Sequence, residues 1–391
     1  MTPPQLARRM SDIQPFHVME LLRRARELEA AGRDIIHMEV GEPDFPTPQP
    51  IIDAASRFIA GGDVHYTASL GQPRLREAIS SFYRTQFNAE VPPERIIITA
   101  GASGALMLAL AATTDPGDEW LLPDPGYPSN RHLVRAFEGV ATSLPVDAAT
   151  RYQPTPEQID TAWGPRSRGL MVASPSNPTG TLLTGAELVA LHRSTTAHGG
   201  LLLVDEIYQG LTYGVDSSTA LAQAELAEAN NVFVVNSFSK YFGMTGWRLG
   251  WMVAPQAYVR EIEKLAQHFF ISASTPAQHA ALAAFEPATL EILEARRLEF
   301  GRRRDALVPA LRELGFNIAT EPQGAFYIYA DVSALTSDSE QLARRLIEEA
   351  GVAATPGLDF GHHRPRQHLR IAYTTRSERL LEAVARMRTV L

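Results

Sequence analysis

Between residues 95 and 253 the chain carries a series of short, almost unbroken apolar runs, each stopping at small or polar residues. The runs are Arg95-Ile-Ile-Ile-Thr, Glu119-Trp-Leu-Leu-Pro, Gly169-Leu-Met-Val-Ala, Gly200-Leu-Leu-Leu-Val-Asp, Val232-Phe-Val-Val-Asn and Arg248-Leu-Gly-Trp-Met-Val. A strand with one face in water alternates apolar and polar residues, whereas a strand apolar at every position has to be covered on both faces. Helical patterns separate the runs, so the sequence predicts an α/β fold with a largely parallel sheet between helices. A helix is expected over 256–285. Beyond it, Arg- and Glu-rich helical stretches (287–314, 337–350) alternate with strands at Gly324-Ala-Phe-Tyr-Ile-Tyr-Ala, Val352-Ala-Ala-Thr and His368-Leu-Arg-Ile-Ala-Tyr. That is an α+β region of roughly 100 residues, the size of one smaller domain. Near the start, residues 15–31 have helical periodicity up to Gly32, and 35–38 form a short strand before the turn-rich Gly41-Glu-Pro-Asp-Phe.

Composition narrows the function. The 391 residues are 45% hydrophobic and 20% charged with a net charge of −8, which suits a soluble globular protein and argues against nucleic acid or an anionic membrane as partner. No stretch of about 18 apolar residues is present to cross a bilayer. The opening Met1-Thr2-Pro3-Pro4 reaches Arg8-Arg9 without an apolar segment, so no secretory signal is expected and the expected location is cytoplasmic. Cysteine is absent, which excludes disulfides, thiolate nucleophiles and Cys-built metal centres; no metal site is expected.

Of the 36 Lys and Arg residues, only Lys240 and Lys264 are lysine. Arg stays protonated, whereas Lys can supply an amine nucleophile when its pKa is lowered. Lys264 lies in Arg260-Glu-Ile-Glu-Lys-Leu and reads as a solvated helix face. Lys240 lies past a strand, in Asn236-Ser-Phe-Ser-Lys. Other strands end in Thr99-Ala-Gly-Ala-Ser, Asp124-Pro-Gly-Tyr, Ser174-Pro-Ser-Asn-Pro and Asp205-Glu-Ile-Tyr. Ligands of open α/β sheets bind beyond the carboxyl ends of the strands, where these polar groups gather.

These segments together resemble the pyridoxal-phosphate-dependent aminotransferases of fold type I, the class I/II group that includes aspartate and alanine aminotransferases. The resemblance runs from Gly41-Glu-Pro-Asp-Phe through Ser237-Phe-Ser-Lys-Tyr-Phe-Gly-Met-Thr-Gly-Trp-Arg-Leu-Gly to Leu369-Arg-Ile-Ala-Tyr. It implies a large cofactor-binding domain (47–285) with a mostly parallel seven-stranded sheet, and a small C-terminal domain (286–391) against which an N-terminal segment (1–46) packs. It also implies pyridoxal 5'-phosphate as cofactor, an amino acid and a 2-oxo acid as substrates, and a homodimer.

The resemblance assigns roles residue by residue. Lys240 is the lysine that captures the cofactor aldehyde as an imine and then shuttles a proton. Gly101, Ala102 and Ser103 open a helix whose free N–H groups suit a phosphate dianion, with Arg248 and Ser237 as further phosphate partners. Tyr66 is expected to reach the phosphate of the neighbouring subunit. Asp205 faces the pyridine nitrogen, Tyr208 and Asn177 the phenolic oxygen, and Tyr127 stacks on the ring. Asn177-Pro178 permits a cis bond. Arg370, Asn177 and the backbone of Gly41 bind the substrate. Apart from the resemblance, Phe16 and the Val18 region lead the first helix and are expected to close over the site as a lid. The expected reaction is ping-pong transfer of an amino group from an L-amino acid to a 2-oxo acid. The alternatives are a β-lyase (C–S lyase) or an aminocyclopropane-carboxylate-synthase-like enzyme on the same fold. A regulatory domain of the kind fused to DNA-binding modules is disfavoured, because only about 40 residues precede the core and the chain is acidic.

Overall fold

A computed structural model describes residues 5–391. The expectation about a leader rests partly on Met1–Pro4, which lie outside the described residues. Among the described residues twelve strands occur in chain order: β1 Ile36–His37, β2 Ile96–Thr99, β3 Glu119–Asp124, β4 Val140–Pro145, β5 Ser167–Ala173, β6 Leu201–Asp205, β7 Val232–Ser237, β8 Gly250–Val253, β9 Tyr327–Asp331, β10 Val352–Ala353, β11 Thr355–Pro356 and β12 His368–Ala372. Seven of them form one sheet in the order β2-β8-β7-β6-β5-β3-β4. All its pairings are parallel except those of β8, which runs antiparallel to both β7 and β2.

The apolar runs form these strands because both faces are covered. Alternate residues enter two separate cores: Val204, Val232, Val234 and Trp251 pack on one side, and Leu203, Phe233, Val235 and Met252 on the other. The helix Gly101–Thr113 is apolar almost all round and lies buried between β7, β8 and the helix Gln256–Phe269. A third core surrounds the antiparallel sheet β11-β12-β9 and takes in Phe300, Leu307 and Leu311 of the helix Pro287–Glu313. The N-terminal residues join that side of the molecule. β1 pairs in parallel with β10, and Ala25 and Leu28 of the helix His17–Ala30 pack with Ile347 and Ala353.

Two sequence expectations need correction, and one strand had no expectation. The helix expected over 256–285 is two helices, Gln256–Phe269 and Thr275–Leu282. Between them Ile271 has φ 62°, and the Ser274 side chain starts the second by accepting from Ala277 N. Strand β4 carries no continuous apolar run. At the sheet edge only its Leu144 is buried, so no apolar run marks it. The stretch Val352-Ala-Ala-Thr feeds two strands in different sheets, β10 and β11. Among the described residues no helix is long and apolar enough to cross a membrane, and no cluster of His, Asp and Glu could hold a metal ion.

Candidate active site

The carboxyl ends of β5, β6 and β7 open towards β12 and towards the loop after β1. Lys240 sits three residues past β7, and its Nζ donates to the carbonyl of Gly41 at 2.7 Å. The amine is enclosed beside the rings of Tyr208 and Phe326, 5.7 and 5.6 Å from their centroids. Burial lowers its pKa to about 8; Arg370 and Arg248 act in the same direction, and Glu42 and Asp205 oppose them. The outcome is an amine that is partly unprotonated near neutral pH.

Asp205 ends β6 and is buried. Its carboxylate accepts from Ile207 N at 3.1 Å, and burial raises its pKa to about 7, with the hydrogen bond and Lys240 working against that rise. Tyr208 is buried three residues further on, and its hydroxyl lies 2.8 Å from that of Tyr327. Burial pushes both phenols up. Tyr327 was not singled out from the sequence, because in Gly-Ala-Phe-Tyr-Ile-Tyr-Ala it reads as one more apolar strand residue. It is nevertheless central here. Its hydroxyl lies over Gly41, where a Cβ would stand only 1.7 Å away, so no residue with a side chain fits at position 41.

Arg370 projects from β12 and is 5% exposed. One Nη donates to Asn177 Oδ1 at 3.0 Å and the other to the carbonyl of Glu39, while Nε has no partner. Its guanidinium lies over the rings of Tyr327 and Phe360, at 4.4 and 4.8 Å. Among the described residues no carboxylate pairs with it. A buried guanidinium with a free donor and no anion is suited to taking one from a ligand. The bond Asn177-Pro178 is cis.

At the other end of the site, the helix Gly101–Thr113 begins without a side-chain cap, leaving its first N–H groups open. Gly101 has φ 72°, and a Cβ there would stand 2.9 Å from an Arg248 Nη. The opposing Gly250 is equally constrained, since its Cβ would meet Ala102 N at 2.7 Å. Arg248 does not begin the strand as expected. It occupies a left-handed turn (φ 51°) two residues before β8, with Nη1 donating to Thr245 O at 3.1 Å. The Ser237 hydroxyl is bound within its own loop, accepting from Ser239 N at 3.0 Å.

Tyr127 lines a cavity with Asn177, Arg131 and Phe360, and the Phe16 ring stacks against it at 6.4 Å. Two expected residues face solvent. Ser103 is exposed without a hydrogen-bond partner, and Tyr66 is 80% exposed on a loop beside Ser272–Pro276.

This arrangement fits pyridoxal phosphate. An uncapped helix start with an arginine beside it suits a dianion, a part-buried amine of lowered pKa suits an aldehyde, and a buried carboxylate that no basic side chain among the described residues pairs with suits a protonated ring nitrogen.

Comparison with known proteins agrees with that fit. Residues 33–387 match the family described as aminotransferase class I and II. The chain is 36% identical to the valine–pyruvate aminotransferase of Mycobacterium tuberculosis, over 96% of each chain. It is also 36% identical to the aspartate/prephenate aminotransferase of Thermus thermophilus, over 99% of this chain and 98% of that one. Among solved structures it superimposes on an aminotransferase from M. tuberculosis with a TM-score of 0.94 (35% identity, 99% of each chain). It superimposes on the T. thermophilus aspartate aminotransferase with maleate at 0.93 (34% identity, 100% of each). With fold, sequence and the chemistry of the strand ends in agreement, the chain belongs to the class I and II aminotransferases, a family of pyridoxal-phosphate-dependent transaminases.

Proposed function

We propose that the protein transfers the amino group of an L-amino acid to a 2-oxo acid in two half-reactions at one site, the Lys240 amine being both the anchor of the cofactor and the proton carrier. The observation that carries this reading is the enclosed Lys240 amine, held on Gly41 O and lowered to about pKa 8. Pyridoxal phosphate, when bound, supplies an aldehyde to that amine and a ring that accepts the electron pair released at the substrate α-carbon.

The chain's own groups do the rest. Gly101, Ala102, Ser103, Ser237 and Arg248 would hold the phosphate through backbone N–H groups, hydroxyls and a guanidinium, with Tyr66 of a second copy completing the set in a homodimer. The 80% exposure of Tyr66 supports that last assignment, because a tyrosine ring so open to water gains by burial. Asp205 would hold a proton on the ring nitrogen, Tyr127 would stack on the ring, and Tyr208 with Asn177 would donate to its phenolic oxygen. Arg370 would bind the substrate carboxylate, next to the Gly41 backbone, and so fix which bond at the α-carbon lies across the ring. Lys240 Nζ would take the proton from the substrate α-carbon and deliver it to the carbon on the cofactor side of the transferred nitrogen. The relatives' activities, valine–pyruvate and aspartate/prephenate transamination, support amino-group transfer here in place of β-elimination.

The test is reduction with borohydride followed by peptide mapping. The cofactor adduct is expected on the peptide containing Lys240 and should be absent in Lys240→Ala, which should also lose turnover. An adduct on the Lys264 peptide, or turnover retained in Lys240→Ala, would overturn the proposal. Release of a 2-oxo acid with ammonia, in place of stoichiometric amino transfer, would favour the β-lyase reading.

A further inference from the structure

Asp359 follows β11 and is 2% exposed, yet no basic side chain among the described residues pairs with its carboxylate. Its oxygens accept instead from the first-turn amides of the helix His17–Ala30, Oδ1 from His17 N at 3.1 Å and Oδ2 from Val18 N at 3.2 Å. That helix has no cap of its own, because Phe16 occupies its N-cap position. A carboxylate more than 340 residues away in sequence therefore supplies both the missing acceptor and the negative charge that a helix start favours. Phe16, held at that start, stacks on Tyr127.

The backbone around Asp359 is fastened on the site side as well. Arg131 Nη2 donates to the Asp359 carbonyl at 2.8 Å, and Gly126 N, next to Tyr127, donates to the Phe360 carbonyl at 2.8 Å. The Phe360 ring in turn lies beneath the Arg370 guanidinium. One short segment thus joins the start of the N-terminal helix, the Tyr127 loop and the carboxylate-binding arginine.

We propose that Asp359 is a positioning residue that fixes Phe16 against Tyr127 as an apolar wall beside the substrate side chain, biasing the enzyme towards amino acids with bulky apolar side chains. This rests on the transaminase reading above. Asp359 touches no substrate; it acts through the two amides and the ring that follows from them.

The test measures kcat and KM of the holoenzyme for L-leucine and L-alanine with one 2-oxo acid. In Asp359→Ala, kcat/KM for leucine should fall about tenfold, mainly through KM, and for alanine less than about threefold. Asp359→Asn retains one oxygen acceptor and should recover part of the loss. Phe16→Ala should give the same dependence on side chain, and the double variant should lose little more than the worse single one. Hydrogen exchange at the His17 and Val18 amides should quicken in Asp359→Ala whether or not turnover changes. Equal losses for both donors, a loss confined to kcat, or additive losses in the double variant would overturn the proposal. If Asp359→Ala does not fold, Asp359→Asn and Phe16→Ala decide by the same criteria. A wild type that transaminates other L-amino acids but not leucine would also overturn the proposal, whereas one that transaminates no L-amino acid with any 2-oxo acid would instead overturn the transaminase reading, which separates the two failures.

Discussion

The hydroxyls of Tyr208 and Tyr327 lie 2.8 Å apart, and the face of the Tyr327 ring carries the Arg370 guanidinium. One side chain thus serves two of the proposed functions, orienting the phenol that would face the cofactor and seating the arginine that would face the substrate. Tyr327→Phe keeps the seat and removes the hydroxyl. A net hydrogen bond is worth about 1 kcal/mol, so kcat should fall roughly fivefold with KM nearly constant. Tyr327→Ala removes both and should raise KM for amino acid and oxo acid alike. Steady-state kinetics of the two variants check this, and a KM rise in Tyr327→Phe equal to that in Tyr327→Ala would refute it.

Arg370 binds Asn177 and the Glu39 carbonyl while keeping Nε free. Arg370→Lys preserves charge but not the forked donor geometry, so kcat/KM should drop about 100-fold or more with every substrate. The apparent affinity for pyridoxal phosphate, read from fluorescence, should change little. A weaker cofactor with unaltered substrate constants would assign Arg370 elsewhere.

Gly101→Ala introduces a Cβ at φ 72° and 2.9 Å from an Arg248 Nη. Strain at such a backbone position costs about 1 kcal/mol or more, which a thermal melt should register. Displacement of Arg248 should raise the cofactor Kd about tenfold or more in an equilibrium titration. Unchanged affinity would place the phosphate away from this helix start.

The Lys240 amine titrates near pH 8 because burial disfavours its charged form. Uptake of pyridoxal phosphate by the apoprotein needs the free amine, so its rate should rise with pH through about 8 and level off above. An ordinary lysine would continue to gain towards about pH 10. The unfolded chain retains this proton to the higher value, so Lys240 should make the folded apoprotein more stable as pH rises from about 8 to about 10. A pH series of uptake rates and melting temperatures, with Lys240→Ala as the control, checks both.

What could be read from the sequence, and what could not, follows from how each residue is held. The chemistry after β7 lies in one contiguous stretch, so the resemblance to a known family assigns Lys240 and Arg248 together. Residues acting from a distance left no such trace. Tyr327 is spelled like any buried strand residue, and its meaning comes from Tyr208, Gly41 and Arg370 arriving from three other segments. Asp359 looks like an ordinary turn aspartate until the helix His17–Ala30 is placed against it. The main sheet was legible because burial on both faces writes apolar residues at every position. The edge strand β4 escaped because water on one side removes that signature. The break at 270–274 was available in principle, as Ser274-Thr275-Pro276 is a helix-start signal inside an otherwise helical pattern.

The reversed direction of β8 has one more consequence. Because it runs against β7, the segment joining them leaves and re-enters the sheet at the same end of the strands, so Lys240 and Arg248 are delivered together by a single loop between Ser237 and Gly250. The groups proposed to set donor choice, Phe16 and Asp359, come from opposite ends of the chain. Inherited changes at the termini can therefore retune which amino acid is accepted while the anchoring loop stays untouched, giving this scaffold separate evolutionary handles for chemistry and for selectivity.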